Sequence, residues 1–158
     1  MNIHRGFKTE LDLNNVQKTA CMRHTGAARY AYNWGLARKQ AAYQAGEKTP
    51  TAIDLQRELV RLKKGELAWM YDVSKCAVEE ALRNLDVAFD NFFRKCRLKK
   101  KGQWKQAVGF PRFKSKKHGV GSFRLRGIIK VFDRTHVVLR IRANKCGSLK
   151  VGRRFGAG

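Results

Sequence analysis

The feature that most constrains this chain is an acid-free stretch, residues 107–126, reading AVGFPRFKSKKHGVGSFRLR. Upstream of it, apolar residues recur at three- and four-residue spacing, the period of a helix face. Downstream, short β-type runs take over. Whatever the chain folds into, this stretch joins a helical block to a β portion. Within or beside it stand Lys105, Arg112, Lys114, Lys116, Lys117, Arg124 and Arg126, interleaved with Phe110, Phe113 and Phe123. Cations of this kind neutralise phosphates, and aromatic faces stack on bases or pack beneath a strand. Pro111 removes a backbone donor and fixes its own φ, while nearby glycines permit tight turns. The stretch therefore reads as a shaped basic loop. The alternative is a solvated basic loop lying over core phenylalanines.

The charge is as uneven as the periodicity. The 158 residues carry a formal charge of +23, from 35 Lys and Arg against 12 Asp and Glu. Residues 1–90 hold 14 basic and 11 acidic groups; residues 91–158 hold 21 basic groups and one acid, Asp133. A half-molecule at +20 repels itself unless a polyanion neutralises it, which makes nucleic acid the first candidate partner. An anionic membrane surface comes second, but the basic half shows no long amphipathic helix with a broad apolar face. No run reaches membrane-spanning length, and no signal peptide opens the chain. Cys21, Cys76, Cys96 and Cys146 form no CxxC pair, and His4, His24, His118 and His136 have no zinc-finger spacing, so a reduced cytoplasmic setting without a metal fits best.

Taken in order, residues 3–13 alternate loosely and predict a first strand, with Asn14 or Asn15 capping the next element. Residues 16–45 predict a long helix. In it Tyr30 and Trp34 read as core, and Gly26 and Gly35 call for the close approach of another chain segment. The cluster Arg29, Tyr30, Tyr32, Asn33 and Trp34 also holds groups suited to nucleic acid, the core reading of Tyr30 and Trp34 being the stronger. Gly46 is a C-cap candidate, and Thr49–Pro50–Thr51 opens a second helix that ends near Gly65. Asp72 or Ser74 caps a third helix running to about Leu98, with a packing side from Val78 to Phe93 that includes Val87. Lys75 and Glu79 are i, i+4 neighbours on its opening turns. From Arg94 to Lys105 the sequence turns basic, with Lys99, Lys100 and Lys101 in a row, and is expected to fray into a linker. Short strands are expected at Ser122–Leu125, Ile128–Phe132 and His136–Ile141, then a poorly ordered tail over residues 142–158. There is no phosphate-binding glycine loop, no GxSxG, no HExxH and no acidic cluster of the kind two-metal hydrolysis needs.

Five stretches, GFKTEL, ARYAYNWGLARKQAAY, VSKCAVEEALRNLDVAFDNFFRK, GFPRFKSKK and SFRL, together resemble the N-terminal part of the TnpB/OrfB proteins of bacterial insertion sequences. These are relatives of type V CRISPR effectors to which a transposase role has been ascribed. The resemblance covers residues 3 to about 138 and fades beyond. It implies an α+β fold in which a helical recognition domain is inserted into a small, incomplete β-barrel, the wedge domain. Residues 1–14 would give the barrel's first strand, 15–105 the recognition domain (the OrfB helix-turn-helix region) and 106–141 the rest of the barrel. It also implies partners: a guide RNA derived from the element's end, and duplex DNA read beside the target. Lys75 matches a family position facing that DNA motif. Glu79 stands where a relative has glutamine and Arg126 about where threonine is common, so the motif preference stays open. The family's RuvC-like nuclease, with its Mg²⁺-binding acids and zinc-binding cysteines, lies beyond the matched segment. No cofactor is therefore expected in this chain, and no cleavage by it alone. A truncated or frameshifted reading frame is expected, a deliberately shortened version being the alternative.

The leading expectation is thus a nucleic-acid-binding fragment of a TnpB-type protein, contacting its partners through Arg29, Tyr32, Lys75, Glu79, Lys99, Lys100, Lys101, Lys105, Arg112, Lys114, Lys116, Lys117, Arg124 and Arg126. A stand-alone structural RNA-binding protein of ribosomal type is the alternative. A helix-turn-helix regulator would need shorter helices than these.

Overall fold

The computed structural model describes residues 11–119, 121–126, 129–131, 136–139 and 149–153. Most of the described chain is helical. Strand β1 (Leu11–Asp12) leads into α1 (Asn15–Gln44), α2 (Ala52–Leu62), a 3-10 turn at Ala68–Asp72 and α3 (Lys75–Lys100). A second 3-10 turn at Lys116–His118 precedes β2 (Ile129–Val131), β3 (His136–Leu139) and β4 (Leu149–Arg153).

Local chemistry sets the helix ends. Asn14 accepts from the Gln17 N–H at 2.9 Å while Gln17 Oε1 accepts from the Asn14 N–H at 3.0 Å, a reciprocal capping box. Thr51 and Asp54 form the same arrangement before α2. There, an acid from α3 adds a further cap: Asp86 Oδ2 accepts from the Ala52 N–H at 2.8 Å. Helix α3 continues through the lysine run instead of fraying at Arg94. Arg97, Lys99 and Lys100 crowd its last turn, where cations complement the exposed carbonyls. Gly102, at φ 71°, then closes it, with the Gln103 N–H donating to the Leu98 carbonyl at 2.9 Å.

The core lies between the three helices. Small residues on α1, namely Ala27, Ala28, Ala31 and Gly35, let it come close to α3, which contributes Val78, Ala81, Leu82 and Leu85; α2 adds Leu55 and Leu59. At Gly35 a Cβ would meet Leu82 Cδ2 at 2.8 Å and Leu85 Cδ2 at 3.0 Å, so this glycine is the point of close approach the sequence requires. Gly26 is not: apart from its own turn of helix, no described atom lies within 4 Å of its would-be Cβ. Tyr30 and Trp34 are not the core anchors either. Tyr30 is exposed and Trp34 only flanks the core, while Tyr32 and Leu36 are buried. Val87 and Phe93, expected on the packing side of α3, are exposed. A half-buried ion pair ties the bundle together: Lys39 Nζ sits 2.8 Å from Asp86 Oδ1 and donates to the Pro50 carbonyl at 2.6 Å.

The expected β-barrel is corrected. Among the described residues the strands are two to five residues long and form one open antiparallel sheet, in the order β1-β4-β3-β2. Among the described residues its edges, β1 and β2, do not pair, so the described sheet does not close. Residues 122–125, expected as a strand, are unpaired because their apolar side chains serve another surface: Phe123 packs against the helical core and Leu125 joins a smaller cluster with Leu11, Leu13 and Cys21. Conversely, Leu149–Arg153 lies inside the expected tail and forms β4, which pairs with both β3 and β1. The strand expected over residues 3–10 lies outside the described residues.

Candidate nucleic-acid interface

The basic stretch folds back across the helices instead of leaving them. Asn33 on α1 fixes it at one point: its Nδ2 donates to the Lys114 carbonyl at 2.9 Å and its Oδ1 accepts the Lys114 N–H at 2.8 Å. This two-bond grip satisfies both backbone groups of Lys114 and leaves its side chain free to lie across Tyr32, with Nζ 4.2 Å from the ring centroid. Burial of that ammonium pushes its pKa below the ordinary lysine value. Further along, Gly121 at φ 80° passes so close to α1 that a Cβ would stand 3.0 Å from Thr25 Cγ2.

A second anchor is carboxylate chemistry. Glu80 is only 3% exposed and faces the returning segment. Its Oε1 lies 2.8 Å from Arg126 Nε and 3.4 Å from Arg83 Nη1, and its Oε2 lies 3.6 Å from Arg124 Nη1. Three guanidiniums share one carboxylate, so the cluster keeps a net positive charge while its acid stays out of solvent. His24, 1% exposed, is a third fixed point. Its Nε2 accepts from the Ser74 N–H at 2.9 Å, which places the ring proton on Nδ1, 2.7 Å from the Ala20 carbonyl. Phe123 packs on the ring at 5.3 Å. Burial lowers the His24 pKa, partly offset by the bond to Ala20.

Between α1, α3 and the returning stretch lies a cleft of about 790 Å³. Arg29, Arg112, Lys114 and Arg124 bring positive charge to it; Asn84, Ser115 and Ser122 bring hydrogen-bonding groups; among the described residues no acid lines it. Lys116 and Lys117 stand exposed on the adjoining 3-10 turn. Four of the expected contact residues thus converge here from segments more than 80 positions apart.

The others do not join them. Tyr32 is 6% exposed and supports Lys114 instead of meeting solvent. Arg126 is held by Glu80. Lys75 and Glu79 lie outside the cleft, near Lys63, whose pKa is lowered by burial, raised by the Glu79 charge and lowered by Lys75. Lys99, Lys100 and Lys101 end α3, about 24 Å along the helix from Asn84 by its rise per residue, and Lys105 is exposed beyond them. Sequence reasoning did not single out Glu80, His24 as a fixed point, or Asn84. The available signal for Glu80 was its place among Ala77, Val78 and Ala81 on the packing face of α3, opposite an acid-free arginine segment. Among the described residues, no three His, Cys, Asp or Glu side chains come together in a way that could hold a metal ion, and no helix is long and apolar enough to cross a membrane.

Residues 1–48 match the model of the helix-turn-helix domain family HTH_OrfB_IS605. In the structure the described part of this match is one short strand and one unbroken 30-residue helix with the loop after it. The chain is 33% identical over 104 residues to a protein of Escherichia coli (strain K12) provisionally named RNA-guided DNA endonuclease InsQ; the match takes in 63% of this chain and 26% of that protein. It is 31% identical over 116 residues to a protein of Streptomyces pristinaespiralis, provisionally named RNA-guided DNA endonuclease, with 73% and 26% covered. The matches thus span about a quarter of each of these curated relatives.

Proposed function

We propose that this chain, which is similar to TnpB/OrfB-type insertion-sequence proteins, is the nucleic-acid-binding module of an RNA-guided system. It holds a guide RNA and contacts the target DNA. The observation that carries this is the acid-free cleft in which Arg29, Arg112, Lys114 and Arg124 converge. Such a cleft is suited to a phosphate backbone: its cations line one hollow, Asn33 and Glu80 hold the segment that bears three of them, and the hydroxyl and amide groups between them can bond phosphate oxygens. Lys116 and Lys117 extend the positive surface at the rim. Lys75, Glu79, Lys99, Lys100, Lys101 and Lys105 meet nucleic acid outside the cleft. Cutting is assigned to no residue of this chain.

The test is fluorescence anisotropy with structured RNA and with duplex DNA, titrated with salt. Neutralising roughly 6 to 10 phosphates lowers affinity about 10³- to 10⁵-fold between 50 and 200 mM salt. The triple change Arg29→Gln, Arg112→Gln, Lys114→Gln keeps both backbone bonds to Asn33 and is expected to reduce the logarithmic salt slope by about 2 to 3. An unchanged slope with an intact helical circular dichroism spectrum would remove the cleft as the interface.

A further inference from the structure

Gly26 is the one helical glycine of α1 that the fold does not explain. Gly35 is needed for helix packing, but apart from its own turn of helix a Cβ at Gly26 would meet no described atom within 4 Å. Glycine inside a helix costs about 1 kcal/mol relative to alanine, so its presence there calls for a reason outside the packing. The surroundings supply one. Gly26 lies in a hollow walled by Arg29, Tyr30, Asn33 and Trp34. Tyr30 is 40% exposed and is held edge-on by Trp69, with ring centroids 5.6 Å apart at 86°. Trp69 itself is 43% exposed, and Arg38 lies over Trp34 at 5.9 Å. Asn33 is already committed to Lys114, so the free chemistry of the hollow is aromatic and cationic. Arg29 lines this hollow and also the basic cleft, so the two are continuous through one side chain.

We propose that the hollow over Gly26 is a base-stacking subsite that receives one unpaired nucleobase of the strand whose phosphates occupy the cleft. This rests on the nucleic-acid reading above and deepens it. A base entering there would lie against the Tyr30 ring, which Trp69 keeps from rotating away, while Arg29 pairs with the flanking phosphate. The missing side chain of Gly26 leaves the room the base needs. Stacking of this kind is tolerant of base identity, because every base has a π face.

The experiment crosses one change in the protein with one in the nucleic acid. The full chain and Gly26→Leu are each titrated with a single-stranded oligonucleotide of adenines and with an abasic strand of equal length and charge, in deoxyribose and ribose forms. Gly26→Leu fills the hollow without touching the core, so its helical signal and salt slope are expected to match the parent's. The parent should prefer the base-bearing strand by about 5- to 150-fold, the range for one stacked base, and Gly26→Leu should lose that preference. Tyr30→Ala should lose it too, and Tyr30→Phe should keep it. The deoxyribose and ribose arms show which sugar the subsite admits. Equal affinity of the parent for base-bearing and abasic strands would overturn the proposal, as would a preference that survives in both Gly26→Leu and Tyr30→Ala. Absence of any salt-dependent binding to either strand would instead sink the cleft itself, and this subsite with it.

Discussion

The two glycines of α1 offer a prediction in which one substitution has opposite effects at two places on one helix. Gly→Ala gains about 1 kcal/mol of helix propensity at either position. At Gly26 nothing opposes it, so Gly26→Ala should stabilise the fold by about 0.5 to 1 kcal/mol. At Gly35 the new methyl would stand 2.8 Å from Leu82 Cδ2, 3.0 Å from Leu85 Cδ2 and 3.3 Å from Leu55 Cδ1. Carbon pairs are comfortable at about 3.5 to 4.0 Å, so all three leucines must move. Each has no exposed surface to move into, being 0% exposed. Overpacking of this kind costs about 1 to 3 kcal/mol, which leaves Gly35→Ala between neutral and about 2 kcal/mol destabilising. Subtracting one variant from the other cancels the shared propensity and isolates the packing cost. In thermal unfolding followed by circular dichroism, the midpoints of the two variants should differ by about 2 to 12 °C, with Gly26→Ala the higher. Equal midpoints, or Gly35→Ala the more stable, would refute the account of how α1 meets α3.

Three further outcomes are expected. Glu80→Gln removes the charge shared by Arg83, Arg124 and Arg126; because those arginines are half exposed, the loss should be about 1 to 2 kcal/mol in urea unfolding, and a loss below about 0.3 kcal/mol would show that the carboxylate does not hold the returning segment. His24 has a lowered pKa, so the unfolded chain takes up its proton first as pH falls below the ordinary value of 6.5, and stability should decline from there towards the folded value; an NMR titration of the His24 ring with a midpoint at or above 6.5 would contradict this. With Mg²⁺ and plasmid DNA, with or without element-end RNA, the purified chain is expected to bind without cutting; cleavage that is lost with EDTA and on Asp133→Ala would reverse that expectation.

The helices were legible because their signals are local. Asn14, Thr51 and Gly46 sit at the ends their chemistry predicts, and the apolar spacing of α3 marks Val78, Leu82 and Leu85 correctly. The basic cleft was legible in composition but not in membership. Arg29, Arg112, Lys114 and Arg124 share the pattern of a dozen other cations, and only the fold-back across α1, gripped by Asn33, selects them. Tyr32 was misplaced, since a tyrosine beside Tyr30 can face either way and the helix phase decides. The barrel was carried over from resemblance, and strand runs this short carry too little pattern to show whether a sheet closes. The strand at Leu149–Arg153 was hidden by its glycine and its cations, which read as a solvated tail.

The pairing of β1 with β4 sets an order of events during synthesis. Leu11 is opposite Arg153, so among the described residues the first strand gains its partner only once residue 153 has been made. The three helices need no such delay, because their contacts close within the segment that ends at Lys100. At about 5 to 20 residues per second, the 53 residues from Lys100 to Arg153 take roughly 3 to 10 s to make. Helical packing is far faster than that. The helical bundle therefore packs while β1 still lacks β4, and the basic stretch can pass over α1 before that pairing forms. A nucleic acid present at that moment meets the cations first and the β-ladder afterwards.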